Sequence, residues 1–276
     1  MQRIYSLAYL TSAPMAPPKA LVLAQKLGYQ AIGVRIAPAS PGGDFSPLME
    51  DRAMLRETIA LIKDSGVPIF DVEIARLGKD FDVESFRAFL ETAGKLGARA
   101  ILVAGDDPDE ARLTQSYASF CDAAAAFNLT ADLEFMPWTA VADAKTALRI
   151  VTQADRPNAR ILVDALHVAR STTTLDDIAA IPRNRLSYAQ LCDAPGEIPK
   201  TIEGLIHTAR CARLLPGEGG IDLVGITRQL PTDLPLSLEI PNDEWLPRLG
   251  TEEWARRAVV AAKSVVESAS HQDIAR

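Results

Sequence analysis

The chain has 276 residues, of which 48% are hydrophobic and 24% are charged, as in a globular protein with a sizeable core. Its net charge of −7 argues against nucleic acid or an anionic membrane as a standing partner. No apolar run approaches the ~20 residues that span a bilayer. Three cysteines without CxxC spacing favour a reduced compartment and argue against a zinc–thiolate site. We therefore predict a cytoplasmic protein without a nucleic-acid or membrane partner.

Short β-rich runs alternate along the chain with longer Ala- and Leu-rich segments of helical spacing. The predicted strands are Ile4–Tyr9, Ala31–Ile36, Val67–Ile74, Ala100–Ala104, Leu129–Phe135, Arg160–Asp164, Leu186–Cys192 and Leu234–Ile240. The predicted helices between them include Pro17–Leu27, Asp51–Ser65, Val83–Leu96, Glu110–Phe127 and Ala140–Ala154. Eight such βα units predict one (β/α)₈ TIM barrel domain over residues 1–276, and an open doubly wound sheet is the alternative.

The longest interval between predicted strands runs from Asp193 to Asp233. We expect it to contain an elaborated loop, "APGEIPKTIEG", and a short helix after "PGEGGID". The C-terminal segment "EEWARRAVVAAKSVVESA" has an apolar stripe and is predicted to close the barrel as a helix. Residues 269–276 are predicted to be a frayed tail.

The last four predicted strands each carry a polar residue at or near their ends. In a parallel barrel these strand ends meet at one rim, and alternate side chains point inward. Three converging carboxylates cannot all stay ionised in a buried site without a counter-charge, so we predict one bound divalent cation. All-oxygen donors favour Mg²⁺ or Mn²⁺ over Zn²⁺. The predicted ligands are Glu134, Asp164, Gln190 and Glu239, although each is also compatible with a solvated or capping role.

A divalent ion at this rim would suit a substrate that chelates it through a carbonyl and a neighbouring hydroxyl, because the ion stabilises the enediolate formed by proton loss. Either Glu134 or Glu239 could take the proton. His167 lies about one helical turn beyond Asp164, and we predict that it polarises or protonates a substrate oxygen.

Four further residues are candidates for substrate binding. Arg213 precedes the Pro-Gly turn and could bind a carboxylate or polyol through two parallel hydrogen bonds, or it could be a solvated helix-end residue. Glu218 and Trp138 could face the pocket, and Arg35 at the end of the second strand would suit an anionic substrate.

No GxxxxGK[ST] or GxGxxG motif follows a strand, so we predict no nucleotide cofactor.

The motifs "DALH" (164–167) and "PGEGGID" (216–222) resemble those of the xylose-isomerase-like TIM-barrel superfamily of sugar isomerases and epimerases. This resemblance covers the strand order of essentially the whole chain. It implies one divalent ion held by a Glu, an Asp, a His or Gln, and a Glu, which the four predicted ligands match. It also implies a homo-oligomer.

Within this superfamily, "QLCDAP" and "LSLEIPND" look most like the 3-dehydroshikimate dehydratase branch, where Gln is found at the third ligand position. The Glu and Arg that follow this ligand in many epimerases are absent, which argues against ketose 3-epimerase activity. A small-molecule substrate is implied in either case.

Three functions remain open from the sequence. The first is a metal-dependent isomerase or epimerase of a small hydroxy-ketone such as a sugar or inosose. The second is a lyase that dehydrates a cyclic hydroxy-ketone acid of the 3-dehydroshikimate type. The third is a barrel that binds a ligand without catalysis.

Overall fold

A computed structural model of the chain describes residues 3–271 and shows a closed barrel of parallel strands in sequence order. The first strand pairs in parallel with the last, with Ser6 opposite Ser237, so the open-sheet alternative is wrong and the predicted TIM barrel is confirmed. The strands are β1 (Tyr5–Leu7), β2 (Ala31–Arg35), β3 (Ile69–Leu77), β4 (Ala100–Gly105), β5 (Thr130–Glu134), β6 (Ala159–Asp164), β7 (Ala189–Leu191) and β8 (Leu236–Leu238).

Helices surround the barrel, and several begin where an aspartate side chain accepts a backbone N–H, as Asp51, Asp109 and Asp143 do. The helix predicted from Ala140 therefore starts later, after Asp143. The helices in residues 3–271 are α1 (Tyr9–Ser12), α2 (Pro17–Leu27), α3 (Arg52–Ser65), α4 (Arg87–Lys95), α5 (Glu110–Ala125), α6 (Ala144–Ala154), α7 (Ala165–Arg170), α8 (Leu175–Ala179), α9 (Ile202–Cys211), α10 (Leu223–Gln229), α11 (Trp245–Leu249) and α12 (Thr251–His271), with 3₁₀ turns at Val83–Phe86 and Arg183–Arg185.

The interval between β7 and β8 contains the predicted short helix, α10, and also α9, which was not predicted. The closing helix α12 continues to His271, and Ala269 on it is buried. The predicted frayed tail therefore does not begin at residue 269, and residues 272–276 lie outside the described part of the chain. No helix within residues 3–271 is long and apolar enough to cross a membrane.

Apolar side chains form two buried clusters on either side of the strand wall. The larger one fills the space between the barrel and its helices. The smaller one lies inside the barrel and includes Phe70, Leu102, Leu162 and Tyr188, with the rings of Phe70 and Tyr188 5.3 Å apart. Because side chains alternate along each strand, the inward positions nearer the C-terminal rim are left for polar groups.

The loop after β7 is organised by Asp193, a buried carboxylate next to the strand. Its side chain accepts the backbone N–H groups of Gly217, Gly219 and Ile221 at 2.9 to 3.1 Å. A side chain at Gly219 would be excluded, because its Cβ would lie 2.3 Å from the Ala194 carbonyl oxygen. The "PGEGGID" motif is thus a loop wrapped around one carboxylate.

The same aspartate places the chain that precedes the motif. Asp193 and Leu214 exchange two backbone hydrogen bonds of 2.9 and 2.8 Å, in an antiparallel bridge. This bridge brings the adjacent Arg213 to the ends of β6, β7 and β8.

Candidate active site

Acidic and imidazole side chains gather at the C-terminal rim of the barrel. Glu134 and Asp164 end β5 and β6, and their donor atoms and one of His167 all lie within 4.8 Å of one another. Glu239 follows β8 directly and accepts a hydrogen bond of 3.1 Å from Gln190. All five residues are buried. The four residues predicted as metal ligands and the predicted catalytic histidine are therefore in one cluster.

Glu134 is the least constrained carboxyl group of this cluster. Its Oε1 has no hydrogen-bond partner among the described residues, and Nε2 of His167 lies 3.7 Å from it. Burial raises the pKa of Glu134 well above its ordinary value, and the negative charges of Asp164 and Glu239 raise it further. This carboxyl group has a strong tendency to hold a proton when no cation is nearby.

Asp164 is fixed by both of its oxygens. Oδ1 accepts the backbone N–H groups of Leu166 and His167 at the start of α7, and Oδ2 accepts from Arg213 at 2.6 Å. Burial by itself raises the pKa of Asp164, but Arg213 and His167 outweigh it, so the pKa lies below its ordinary value. The "DALH" motif is thereby explained: Asp164 caps the helix, and the helix places His167 beside it.

Glu239 shares its two oxygens between two neighbours. Oε1 accepts from Gln190, and Oε2 lies 2.8 Å from Nη2 of Arg213. Burial raises the pKa of Glu239 to about 7 despite the opposing charge of Arg213. Gln190 uses its amide nitrogen for this contact, and its Oε1 has no partner within the described part of the chain. Its oxygen is therefore available as a metal ligand.

His167 is a buried, neutral imidazole. Burial lowers its pKa to about 4, because the solvation that the charged form loses is worth more than its attraction to the neighbouring Asp164. Its ring packs edge-on against Trp138 with the centroids 5.1 Å apart. A neutral histidine has one donor and one acceptor nitrogen, which suits it to polarise a substrate oxygen by hydrogen bonding.

A cleft of about 180 Å³ lies above the cluster. The predicted substrate-binding residues Trp138, Arg35 and Arg213 line it, whereas Glu218 is exposed on the "PGEGGID" loop and is not part of its lining. Arg35 binds Glu73 at 2.6 Å and lies over the ring of Tyr9.

Two arginines of the cleft were not found by sequence reasoning. Arg76 lies on β3, beyond the predicted end of that strand at Ile74, and holds Asp106 with two hydrogen bonds of 2.8 and 3.1 Å. Arg210 lies on α9, the unpredicted helix, and has no ion pair among the described residues. Each was missed because its element was predicted too short or not at all.

Arg213 lines the cleft but is buried, and its guanidinium contacts Asp164 and Glu239. Its predicted contact with a substrate remains a prediction, whereas the solvated helix-end alternative is wrong. When all three carboxyl groups are ionised, they and the one guanidinium leave two excess negative charges in a buried site, which one divalent ion would neutralise.

The donor set fits such an ion. Oε1 of Glu134 and Oε1 of Gln190 are buried without a hydrogen-bond partner in residues 3–271, and oxygens of this kind bind hard cations. The adjacent imidazole of His167 also leaves Zn²⁺ as a candidate. The geometry thus supports a divalent metal site and does not select the metal.

A family model described as a xylose isomerase-like TIM barrel matches residues 21–264. The chain belongs to this family. A 3-dehydroshikimate dehydratase of Pseudomonas aeruginosa is 28% identical over 177 residues, 61% of this chain and 27% of that protein. A second, from Pseudomonas putida, is 33% identical over 97 residues, 34% of this chain and 15% of that protein. The chain thus matches about a quarter or less of the length of these curated relatives.

Solved structures share the fold at low identity. The IOLI protein, solved with a bound zinc atom, aligns with a TM-score of 0.80 and 18% identity, covering 96% of this chain and 98% of that one. A D-allulose 3-epimerase from Methylomonas sp. aligns with a TM-score of 0.70 and 16% identity, covering 96% and 99%. The relatives whose names state an activity are enzymes, and they differ in the reaction named.

Proposed function

We propose that this protein is a divalent-metal-dependent enzyme that removes a proton next to the carbonyl group of a small hydroxy-ketone. The observation that carries the proposal is the buried cluster below the cleft, in which a carboxyl group without a partner, a charged carboxylate and a neutral imidazole lie within 4.8 Å. Glu134, Asp164, Gln190 and Glu239 would hold the metal. When bound, a divalent ion polarises a carbonyl and stabilises the negative charge that develops on its oxygen.

Glu134 is the better candidate for the base. Its Oε1 is free of hydrogen bonds to the described residues, whereas both oxygens of Glu239 are occupied by Gln190 and Arg213. A base must reach the proton that it removes. Neither oxygen of Glu134 is hydrogen-bonded to the described residues, so Glu134 could hold the metal through Oε1 and take the proton with its other oxygen. In its ionised form Glu134 takes the carbon-bound proton.

His167 has a different role because its imidazole is neutral. A neutral imidazole near pH 7 is a weak acid but a good hydrogen-bond donor, so His167 would hold a substrate oxygen rather than protonate it. Trp138 packs against the imidazole and keeps it in place at the side of the cleft.

The bond that breaks after proton removal decides between isomerisation and dehydration. Arg210 lines the cleft and has no ion pair among the described residues, which favours a substrate with a carboxylate. The sequence-matched curated relatives bear the name 3-dehydroshikimate dehydratase. Dehydration of a cyclic hydroxy-ketone acid is therefore favoured over isomerisation or epimerisation of a sugar or inosose, the reaction that the sequence alone had favoured. In dehydration, Glu134 takes the carbon-bound proton and then gives it to the β-hydroxyl, so that the C–O bond breaks, water leaves and Glu134 is ionised again.

The test is incubation of the purified protein with 3-dehydroshikimate and Mg²⁺ or Mn²⁺. Dehydration yields an aromatic catechol acid with a new ultraviolet band, which we expect for the wild-type protein and not after EDTA treatment. If no band appears, deuterium uptake from D₂O into ketose or inosose substrates tests the isomerase alternative. A protein that binds no divalent ion and exchanges no substrate proton would be a non-catalytic barrel, and the proposal would fail.

A further inference from the structure

Arg213 occupies the centre of the carboxylate cluster and is bound on several sides. Nη1 donates to Oδ2 of Asp164 at 2.6 Å, and Nη2 lies 2.8 Å from Oε2 of Glu239. Nε donates to the backbone carbonyl of Ala209 at 2.8 Å, and Nη1 also reaches the carbonyl of Glu239 at 3.2 Å. The side chain is only 3% exposed, compared with 30% for Arg76 at the same cleft. Its orientation is set by the protein itself.

No other cation contacts these two carboxylates in residues 3–271. The nearest carboxylate contact of the His167 ring is with Glu134, 3.7 Å from Nε2 to Oε1, and Arg35 binds Glu73 at 2.6 Å. A buried carboxylate without a counter-charge is strongly destabilising, because the protein interior does not replace its hydration. Arg213 is therefore the counter-charge shared by Asp164 and Glu239.

The planar fork of arginine is suited to this contact. It joins carboxylates that come from β6 and from the end of β8, and so it sets the spacing between them. A lysine would supply one compact charge and would lose the hydrogen bond to Ala209, so it could not hold both groups in the same way. Oε1 of Glu134 and Oε1 of Gln190 stay outside this network.

We propose that Arg213 is a built-in counter-cation, which orients Asp164 and Glu239 and offsets their negative charge before any metal ion binds. The folded barrel then does not depend on the ion, and the ion enters a site whose ligands are already placed. Arg213 is a positioning residue in this role. The inference rests on the proposed function only where it concerns the metal, since the ion pairs are formed without it.

The test compares melting temperatures after removal of metal with EDTA. Arg213→Met keeps the length of the side chain and removes the charge, and we expect a fall of roughly 10 °C relative to wild type. Addition of Mn²⁺ should raise the melting temperature of this variant more than that of wild type, because the ion then replaces the missing charge. Arg76→Met is the matched control, since Arg76 is ion-paired in the same cleft without contacting Asp164 or Glu239. It should lose about 3 °C at most and respond to Mn²⁺ like wild type.

A double variant separates loss of charge balance from loss of packing. Arg213→Met with Glu239→Gln removes the cation and one of its two carboxylates, so we expect it to melt several degrees above Arg213→Met alone. A double variant no more stable than the single one, or an Arg213→Met protein that melts like Arg76→Met, would overturn the proposal. If Arg213→Met does not fold, the proposal is tested with Arg213→Lys and the double variant. It requires that the double variant folds and that the melting temperature of Arg213→Lys lies between those of wild type and the double variant. A wild-type protein that shows no Mn²⁺ response and no turnover would refute the proposed function, while the metal-free comparison would still decide the role of Arg213.

Discussion

The two halves of the barrel rim differ in how their buried carboxylates are paired with cations. On the β1–β4 side, Glu73 is paired with Arg35 and Asp106 with Arg76, so each of these carboxylates has its own guanidinium. On the β5–β8 side, Asp164 and Glu239 share Arg213, and Glu134 has no guanidinium partner among the described residues. The rim therefore carries its excess negative charge only where β5–β8 end. The surplus of carboxylates over cations, rather than the presence of acidic residues, distinguishes the candidate metal site.

A third arrangement of a buried carboxyl group lies deeper in the barrel, at Asp71 on β3. It is buried beside Gly33, where a side chain would collide with its carboxyl oxygens. Burial raises its pKa well above the ordinary value, and the charges of Glu73 and Glu239 add to this effect. Asp71 thus has a strong tendency to hold a proton, whereas Asp164 is paired with an arginine.

The largest expected effect is on turnover, from replacing Glu134, the carboxyl group of the β5–β8 side without a hydrogen bond. Glu134→Gln should lower turnover by about 10³-fold, because glutamine cannot accept the substrate proton. Its metal-free melting temperature should stay within a few degrees of wild type, since no hydrogen bond of the Glu134 side chain is lost among the described residues. Steady-state kinetics and EDTA-treated melting curves measure both quantities. Full activity in Glu134→Gln, with Glu84→Gln as an exposed control, would assign the base elsewhere.

A smaller loss of activity is expected from His167→Gln, which keeps a hydrogen-bond donor but not its position. Turnover should fall by about 10²-fold. Because burial lowers the pKa of His167 to about 4, the residue is neutral from pH 5.5 to 8, and the ratio of wild-type to variant activity should be constant over that range. A ratio that falls as the pH rises through about 6.5 would show that the charged imidazole is the working form.

A stability effect is expected at Asp193, which holds the loop that carries Arg213 to the rim. Asp193→Asn replaces an acceptor of three loop N–H groups by a weaker one and should cost about 2 kcal/mol of the free energy of unfolding. Asp222→Asn is the control, because Asp222 only caps α10 from an exposed position and should cost about 1 kcal/mol or less. Urea unfolding measures both. Equal losses in the two variants would mean that the Asp193 network does not hold the loop.

A pH dependence of metal-free stability should also originate on the β5–β8 side. The pKa of Glu239 is about 7 in the folded protein and near 4.3 when unfolded, so the folded state binds more protons between these values. Stability should therefore decrease as the pH rises from about 5 to 7. Glu239→Gln removes this contribution, so the melting temperature of wild type minus that of the variant should decrease over the same range in EDTA. A difference that increases with pH would show that the pKa of Glu239 is lowered in the folded protein.

Much of the site was predictable because it depends on strand position alone. Glu134 and Asp164 end their strands, Gln190 lies within β7, and Glu239 follows β8. A period of two along each strand and the common rim of a parallel barrel are enough to bring such residues together. Their roles as metal ligands remain predictions.

The sequence by itself determined the eight βα units and the four polar residues at the ends of the last strands, because hydrophobic periodicity is a local property of the chain. Only the tertiary structure decided what Arg213 contacts, because the loop around Asp193 folds it back onto β6 and β8. The tertiary structure also leaves Glu218 exposed on its loop. It makes Glu134 and Glu239 different, because the oxygens of Glu239 are bound by Gln190 and Arg213 and those of Glu134 are not. A pKa depends on burial and on charges from distant segments, and neither can be read from neighbouring residues in sequence.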